Sequence, residues 1–243
     1  MLTTGHHGWR TSLKSKSLGD EPQAREWSLP PVAPRKKNPG VGRQMRRDPE
    51  DRITVSVSRN LALAAVFGAL YAALVVAFAP ISNLPIQVRV ADALMPLVIL
   101  FGWPVIVGLG IGALAGNFLA DSITGFPSAS IGLDMVGGSL VNLLAGFLAW
   151  KIGQHGWRVG NRNASWFMAT IVETAVISTV VGSYLSIVFP STALAASVLL
   201  VLAGEIVAIN IGGFALLNIV GRPRSLDLLR SWGFRIYGTD KDR

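Results

Sequence analysis

Residues Ala93–Ala120 read ALMPLVILFGWPVIVGLGIGALAGNFLA, 28 positions without a charged side chain. As one helix the stretch would be about 42 Å long, too long for a hydrocarbon core of about 30 Å. Gly102, Trp103 and Pro104 stand near its middle, and a break there divides it into two segments. Loop charge decides between the two readings. With the break, the chain crosses a membrane six times. Lys151, Arg158 and Arg162 then fall on the same side as the basic N-terminus and as Arg222, Arg224 and Arg230. Without it, those three change sides and Asp121 and Asp134 move to the cytoplasm. The excess of Lys and Arg in cytoplasmic loops favours the break, with both termini cytoplasmic.

The rest of the chain follows the same pattern. Residues 53–221 hold five basic and five acidic side chains in 169 positions, and charge-free intervals recur at 60–88, 135–150, 174–204 and 206–221. About 20 apolar residues of helix cross a bilayer, and none of these intervals has the polar face of a surface-lying helix. The expected spans are 60–79, 86–101, 104–120, 134–151, 165–189 and 193–219. This predicts an all-α, polytopic protein of the cell membrane, a compact bundle of six transmembrane helices. The second span is unusual in holding Arg89, Asp92 and Pro96. Its first residues read better as a loop or half-helix lining a cavity, where charge and irregular backbone are tolerated.

The flanks differ. Residues 1–52 carry eleven Lys/Arg, six Asp/Glu and only twelve apolar residues, a composition expected of a disordered basic tail. No apolar stretch of signal-peptide length precedes Leu61, and Met45 is an alternative start of translation. Residues 222–243 read as a cytoplasmic C-terminal tail with six basic and three acidic side chains. The net charge of +8 thus resides in the two flanks. It reports orientation in a membrane and not an affinity for nucleic acid.

Catalytic chemistry has little to draw on. The chain has no cysteine and three histidines, two of them His6 and His7 in the tail. That removes thiol nucleophiles and cysteine-ligated metals. There is no Gly-Lys pair and hence no phosphate-binding P-loop, and the zinc-protease and serine-hydrolase signatures are absent. No enzyme activity, metal or cofactor is expected.

Two patterns remain. Ala65, Ala69, Ala73 and Ala77 recur every four residues, with Ala64, Gly68 and Ala72 beside them, and Gly108, Gly112 and Gly116 repeat the spacing in the third span. Such stripes permit close helix approach. Packing within the bundle is the simpler reading for the glycines, whereas the alanine stripe suits another subunit equally well. The second pattern is polar: Gln87, Arg89, Asp92, Asn117, Asp121 and Asp134 lie toward the exterior, with Glu205 and Asn210 deeper in the last span and Glu173 in the fifth. Charge at membrane depth is expensive and points to function. The structural alternatives are an Arg89–Asp92 pair at i,i+3, an N-cap at Asp134, a solvated loop charge at Asp121, and interhelical hydrogen bonds from Asn142 and Asn218.

The segment Pro80-Ile-Ser-Asn-Leu-Pro-Ile-Gln-Val-Arg-Val-Ala-Asp-Ala-Leu94 resembles the first outer loop of the QueT family. These are substrate-binding S components of energy-coupling-factor (ECF) transporters for queuosine precursors. Pro85, Ile86, Gln87, Arg89 and Asp92 carry the likeness, supported by Ala115-Gly-Asn-Phe-Leu119 and by Gly132-Leu-Asp-Met-Val-Gly-Gly-Ser-Leu140. Together it extends over about Arg59 to Ile219. The resemblance implies an outward-facing ligand site closed by the first outer loop. It also implies docking, through an Ala-x-x-x-Ala face on helix one, to a transmembrane coupling subunit with two ABC ATPases. Asp92 stands where the family is expected to have Glu, and the loop from Ser122 to Ile131 reads as longer than usual.

The implied function is capture of a small polar solute, a 7-deazaguanine, by Gln87, Arg89, Asp92, Asn117, Asp134, Glu205 and Asn210. A carboxylate, Glu205 or Asp134, accepts two N–H groups from the base edge. Asn117 or Asn210 reads its carbonyl, and Phe118, Phe126 or Tyr184 stacks on it. A competing class is a stand-alone proton-coupled carrier with Glu173 or Glu205 as relay. An intramembrane enzyme is a third, weakened by the lack of a nucleophile and base.

Overall fold

The structure, a computed structural model, describes residues 49–82, 88–159 and 162–238. The expectations for the tail up to residue 48, and for Gln87, lie outside the described residues. Helix α1 (Pro49–Ala77) and a single turn, α2 (Ala79–Ser82), lead to a 3₁₀ segment, Val90–Leu97, which runs into α3 (Val98–Phe101). Then come α4 (Trp103–Thr124) and α5 (Ser128–Gly153). The two-residue strands β1 (Arg158–Val159) and β2 (Arg162–Asn163) pair antiparallel ahead of α6 (Ala164–Val188). The last long helix is α7 (Leu194–Glu205), a π-helical segment Ile206–Gly213, and α8 (Phe214–Val220), followed by α9 (Pro223–Ser231).

Five helices are long and apolar enough to cross a membrane: Val57–Ala77, Trp103–Thr124, Ser128–Gly153, Ala164–Val188 and Leu194–Val220. Their outer faces are apolar as well, with Leu61, Ile111, Leu140, Ile187 and Leu199 each more than 60% exposed. A water-soluble bundle would not leave such side chains on every helix. The chain is a multi-pass membrane protein.

The break expected at Gly102 is present. This residue takes φ +65° between α3 and α4, a backbone conformation open to glycine, and Pro104 lies in the first turn of α4. Helices α1 and α4 run parallel: a Cβ on Gly108 would strike the Ala64 backbone, one on Gly112 that of Gly68, and one on Gly116 Ala72 and Val75. Parallel neighbours require the chain to return between them, and Val90–Phe101 is that return. Its 3₁₀ and α turns give only about 22 Å of rise, which is why it is absent from the five long spans. The other contacts are antiparallel. Ser139 Oγ donates to Gly110 O across α4 and α5 at 2.8 Å, and Thr174 Oγ1 donates to Asn210 Oδ1 across α6 and the π segment at 2.6 Å.

One end of the bundle gathers Arg59, whose Nη1 donates to Gly233 O at 3.2 Å, and Tyr237, whose N–H donates to Leu100 O at 2.8 Å. Trp150 stacks edge-on against Tyr237 there, and Ser165 reaches Gly153. Both the start of the first span and the C-terminal residues therefore lie at this end.

Several boundaries differ from the sequence reading. The charged turn Pro49–Arg52 belongs to α1 and not to the tail. The outer loop expected from Ser122 to Ile131 is only Gly125–Pro127. Helix α4 continues to Thr124 and closes on Gly125 at φ +76°, and α5 starts at Ser128. Asp134 is thus two turns inside α5 and not an N-cap. Within the C-terminal segment Leu226 and Ile236 are buried.

Candidate functional site

The polar side chains at membrane depth gather around Arg89, just ahead of the 3₁₀ segment. Its Nε lies 3.6 Å from Asp92 Oδ2, the i,i+3 pair expected from the spacing. Its Nη2 donates to Asn117 Oδ1 on α4 at 2.7 Å. Asn117 Nδ2 in turn donates to the Asp134 carbonyl on α5 at 3.2 Å, and Tyr184 on α6 donates its hydroxyl to Asp134 Oδ1 at 2.6 Å. Gly138 makes this possible, since a Cβ there would collide with Asn117 Nδ2. One arginine thereby ties the return segment to three long helices.

A second branch runs inward. Tyr71 on α1, fully buried, donates to Asp92 Oδ1 and accepts from Asn142 Nδ2 at 2.8 Å. The Glu205 carboxyl lies against that of Asp92, with Glu173 within electrostatic reach of both. Glu173 and Glu205 are fully buried, and among the described residues none of their four oxygens has a hydrogen-bond donor. Two ionised carboxyls in contact are acceptors only, so no bond joins them until a proton or a ligand supplies one. On the outer side, Asp121 and Asp134 make a similar carboxyl contact, and Asp121 Oδ2 is buried without a donor.

The geometry brings together Arg89, Asp92, Asn117, Asp134 and Glu205. Asn210, half-buried in the π segment, accepts from Thr174 and donates to Thr170 Oγ1 at 3.2 Å, so its amide is largely engaged by α6. Asp121, for which a solvated loop charge was the structural alternative, is 5% exposed in the last turn of α4 and so belongs with the buried polar residues. Tyr184 spends its hydroxyl on Asp134, and Phe126 packs edge-on against Phe189. Phe118 is half-exposed on the outer face of the bundle, so it offers no stacking surface to this cluster. Asn218 Nδ2 donates to Phe214 O of its own helix, while Asn142 Nδ2 donates across helices to Tyr71. Sequence reasoning missed Tyr71. The available signal was a tyrosine interrupting the small-residue faces of α1.

Ala65, Ala69, Ala73 and Ala77 are all exposed on α1, whereas the neighbouring face with Gly68 is the one that packs on α4. Among the described residues no group of histidine and carboxylate side chains is arranged to hold a metal ion.

Comparison with known proteins agrees on one point. The sequence model of the family described as QueT transporter matches residues 61–222. No curated protein and no solved structure matches the chain.

Proposed function

The chain belongs to the QueT transporter family, and from that premise we propose that it is the substrate-capture subunit of an ECF-type importer for a 7-deazaguanine queuosine precursor. It binds the solute from outside the plasma membrane and releases it inside, using ATP hydrolysed by two partner ABC ATPases through a transmembrane coupling subunit. The observation that carries this reading is the Arg89 network, which joins the return segment to α4, α5 and α6 at one end of the bundle. A deazaguanine edge offers two parallel N–H donors, and beside Asp134 the Asp121 Oδ2 is buried without a donor among the described residues. Capture and release of the solute make and break no bond in it.

Orientation follows from charge. Arg59, Lys151, Arg158, Arg222, Arg224 and Arg230 gather at the end holding the start of the first span and the C-terminal residues, which is accordingly cytoplasmic. The chain then crosses six times, Val90–Phe101 included. The exposed alanine stripe on α1 is a flat surface on which the coupling subunit can pack closely. Ala69→Leu and Ala73→Leu are expected to abolish uptake in cells carrying the coupling module while leaving solute binding to the isolated chain unchanged.

The direct test is ligand-dependent thermal stabilisation of the purified chain across deazaguanines, thiamine, riboflavin and biotin. A ligand at one hundred times its dissociation constant stabilises by about 2.7 kcal/mol. A response to another vitamin and to no deazaguanine overturns the substrate. The donorless Glu173 and Glu205 favour one other reading, a proton-coupled carrier working alone. Uptake driven by a pH gradient without a coupling module, and indifferent to Ala69→Leu, would establish that instead.

A further inference from the structure

The five tryptophans among the described residues, Trp103, Trp150, Trp157, Trp166 and Trp232, all lie at the end of the bundle where Arg59 meets Gly233. Tryptophan settles at the headgroup level of a bilayer, so these rings mark the membrane boundary there. Two of them build one patch. Trp103 of α4 packs on Phe147 of α5 with ring centroids 5.5 Å apart and on Trp150 at 6.0 Å, and Trp150 meets Tyr237 edge-on at 5.8 Å. Two cations sit on these rings. Lys151 Nζ lies 5.1 Å from the Trp150 ring centre and 5.7 Å from that of Phe147, and the Arg235 guanidinium carbon lies 4.9 Å from that of Tyr237. Both side chains are exposed, and among the described residues neither is paired with a carboxylate. Other basic groups at this end are engaged by the protein: Arg59 donates to Gly233 O, and Arg230 lies 3.6 Å from Asp227.

The patch continues into lipid-facing surface. From Trp103 every fourth residue of α4 is exposed, Val107 and then Ile111, and from Phe147 toward the middle of α5 so are Leu144 and Leu140. The contact of Trp103 with Phe147 sets these two apolar ridges side by side. Paired cations at the head of apolar ridges match a molecule with an anionic head and acyl chains. We propose that Lys151 and Arg235 hold the phosphate of an acidic phospholipid in the leaflet at this end, cytoplasmic in the orientation given above, with its chains along the α4–α5 ridges. Phosphate oxygens are acceptors and both side chains are donors only, so the contacts are charge-assisted. A zwitterionic lipid brings an ammonium of its own to a surface already holding two cations. The site lies on α4, α5 and the C-terminal segment, not on the alanine stripe of α1, and is independent of which solute is carried.

The test uses the purified full chain in detergent micelles carrying dioleoylphosphatidylglycerol or dioleoylphosphatidylcholine at equal mole fraction. Native mass spectrometry counts bound lipid, and melting temperature is followed in parallel. Wild type is expected to retain the glycerol lipid about 30-fold over the choline lipid, the factor two basic side chains supply at an anionic surface, and to melt higher with it. Lys151→Gln with Arg235→Gln should bring retention to parity, whereas the charge-conserving Lys151→Arg with Arg235→Lys should keep the preference. Each single glutamine substitution should cost about fivefold, which decides the matter if the double variant does not fold. Arg222→Gln with Arg224→Gln removes the same charge from the same end and should leave the preference intact. Equal retention of both lipids by wild type overturns the site, as does an equal loss in the two glutamine double variants, which reports diffuse charge alone. Stabilisation by glycerol 1-phosphate matching that by the lipid makes this a free phosphate site and overturns the lipid assignment. Loss of coupling-subunit binding in the Lys151/Arg235 glutamine variant, with its lipid preference unchanged, assigns the patch to protein docking instead.

Discussion

At Arg89 a single guanidinium supports two carboxyl-bearing branches, and its loss exposes how they are balanced. Removing one partner of a buried ion pair leaves an uncompensated charge, typically a loss of about 3–5 kcal/mol. Arg89→Met should therefore lower thermal stability sharply, and Asp92→Asn in the same chain should restore part of it. Thermal unfolding of the two single variants and the double variant in detergent measures this coupling, and strict additivity would mean that the 3.6 Å pair contributes nothing. Tyr71→Phe is subtler. It removes the hydroxyl that bonds both Asp92 and Asn142, leaving two buried polar groups short of a partner, at about 1–3 kcal/mol for an unsatisfied group. A loss of that size, rescued by no ligand-free condition but reduced in the Tyr71→Phe/Asn142→Leu pair, is the expected result of the same measurement.

Among the elements, the contact of α1 with α4 is set by absent side chains. A Cβ on Gly108 would meet the backbone of Ala64, and backbone cannot move aside as a flexible side chain can. Gly108→Ala should thus force the helices apart and destabilise by about 1–3 kcal/mol. Gly132 in α5 has nothing within 4 Å of the same position, so Gly132→Ala should raise stability by up to about 1 kcal/mol through helix propensity. Opposite shifts in melting temperature for the two variants would verify that packing, not composition, decides which glycines matter.

This contrast marks how far the sequence could be read. The multi-pass helical character and the break at Gly102 followed from length and loop charge, because hydrocarbon thickness and charge placement act on the sequence directly. Helix ends did not. Ser128–Leu133 is small and weakly polar, so it read as loop, yet with Gly125 stopping α4 it continues α5 outward. The candidate site was visible as polar residues in an apolar background, and Arg89 with Asp92 even by spacing. The meeting of Asp92 with Glu205 was not, because it depends on the 3₁₀ segment packing against the π segment, where Gly213 leaves room for Pro96 and Ala93. Both segments depart from the α period on which sequence patterns rest.

For the molecule as a whole, the decisive quantity is the number of passages between its two ends. Helices α1 and α4 lie parallel with glycine in contact, and this is possible only if Val90–Phe101 carries the chain back. The even number of passages proposed above puts the start of the first span and Gly233 on one side, in keeping with the contact of Arg59 with Gly233. The absence of cysteine makes the point measurable, since each introduced thiol is the only one in the chain. Val57, Ser128, His155, Ser191 and Ser231 are all exposed, so cysteine at each is open to reagent. Ser128→Cys and Ser191→Cys should react with a membrane-impermeant maleimide on intact cells. Val57→Cys, His155→Cys and Ser231→Cys should react only after permeabilisation, because basic residues favour the cytoplasmic side. The inverse pattern would reverse the orientation and turn the Arg89 network toward the cytoplasm, which an importer's capture site cannot be. Labelling of Val57→Cys and Ser231→Cys from opposite sides would instead make the passages odd in number, and then the short return segment could not be crossing at all.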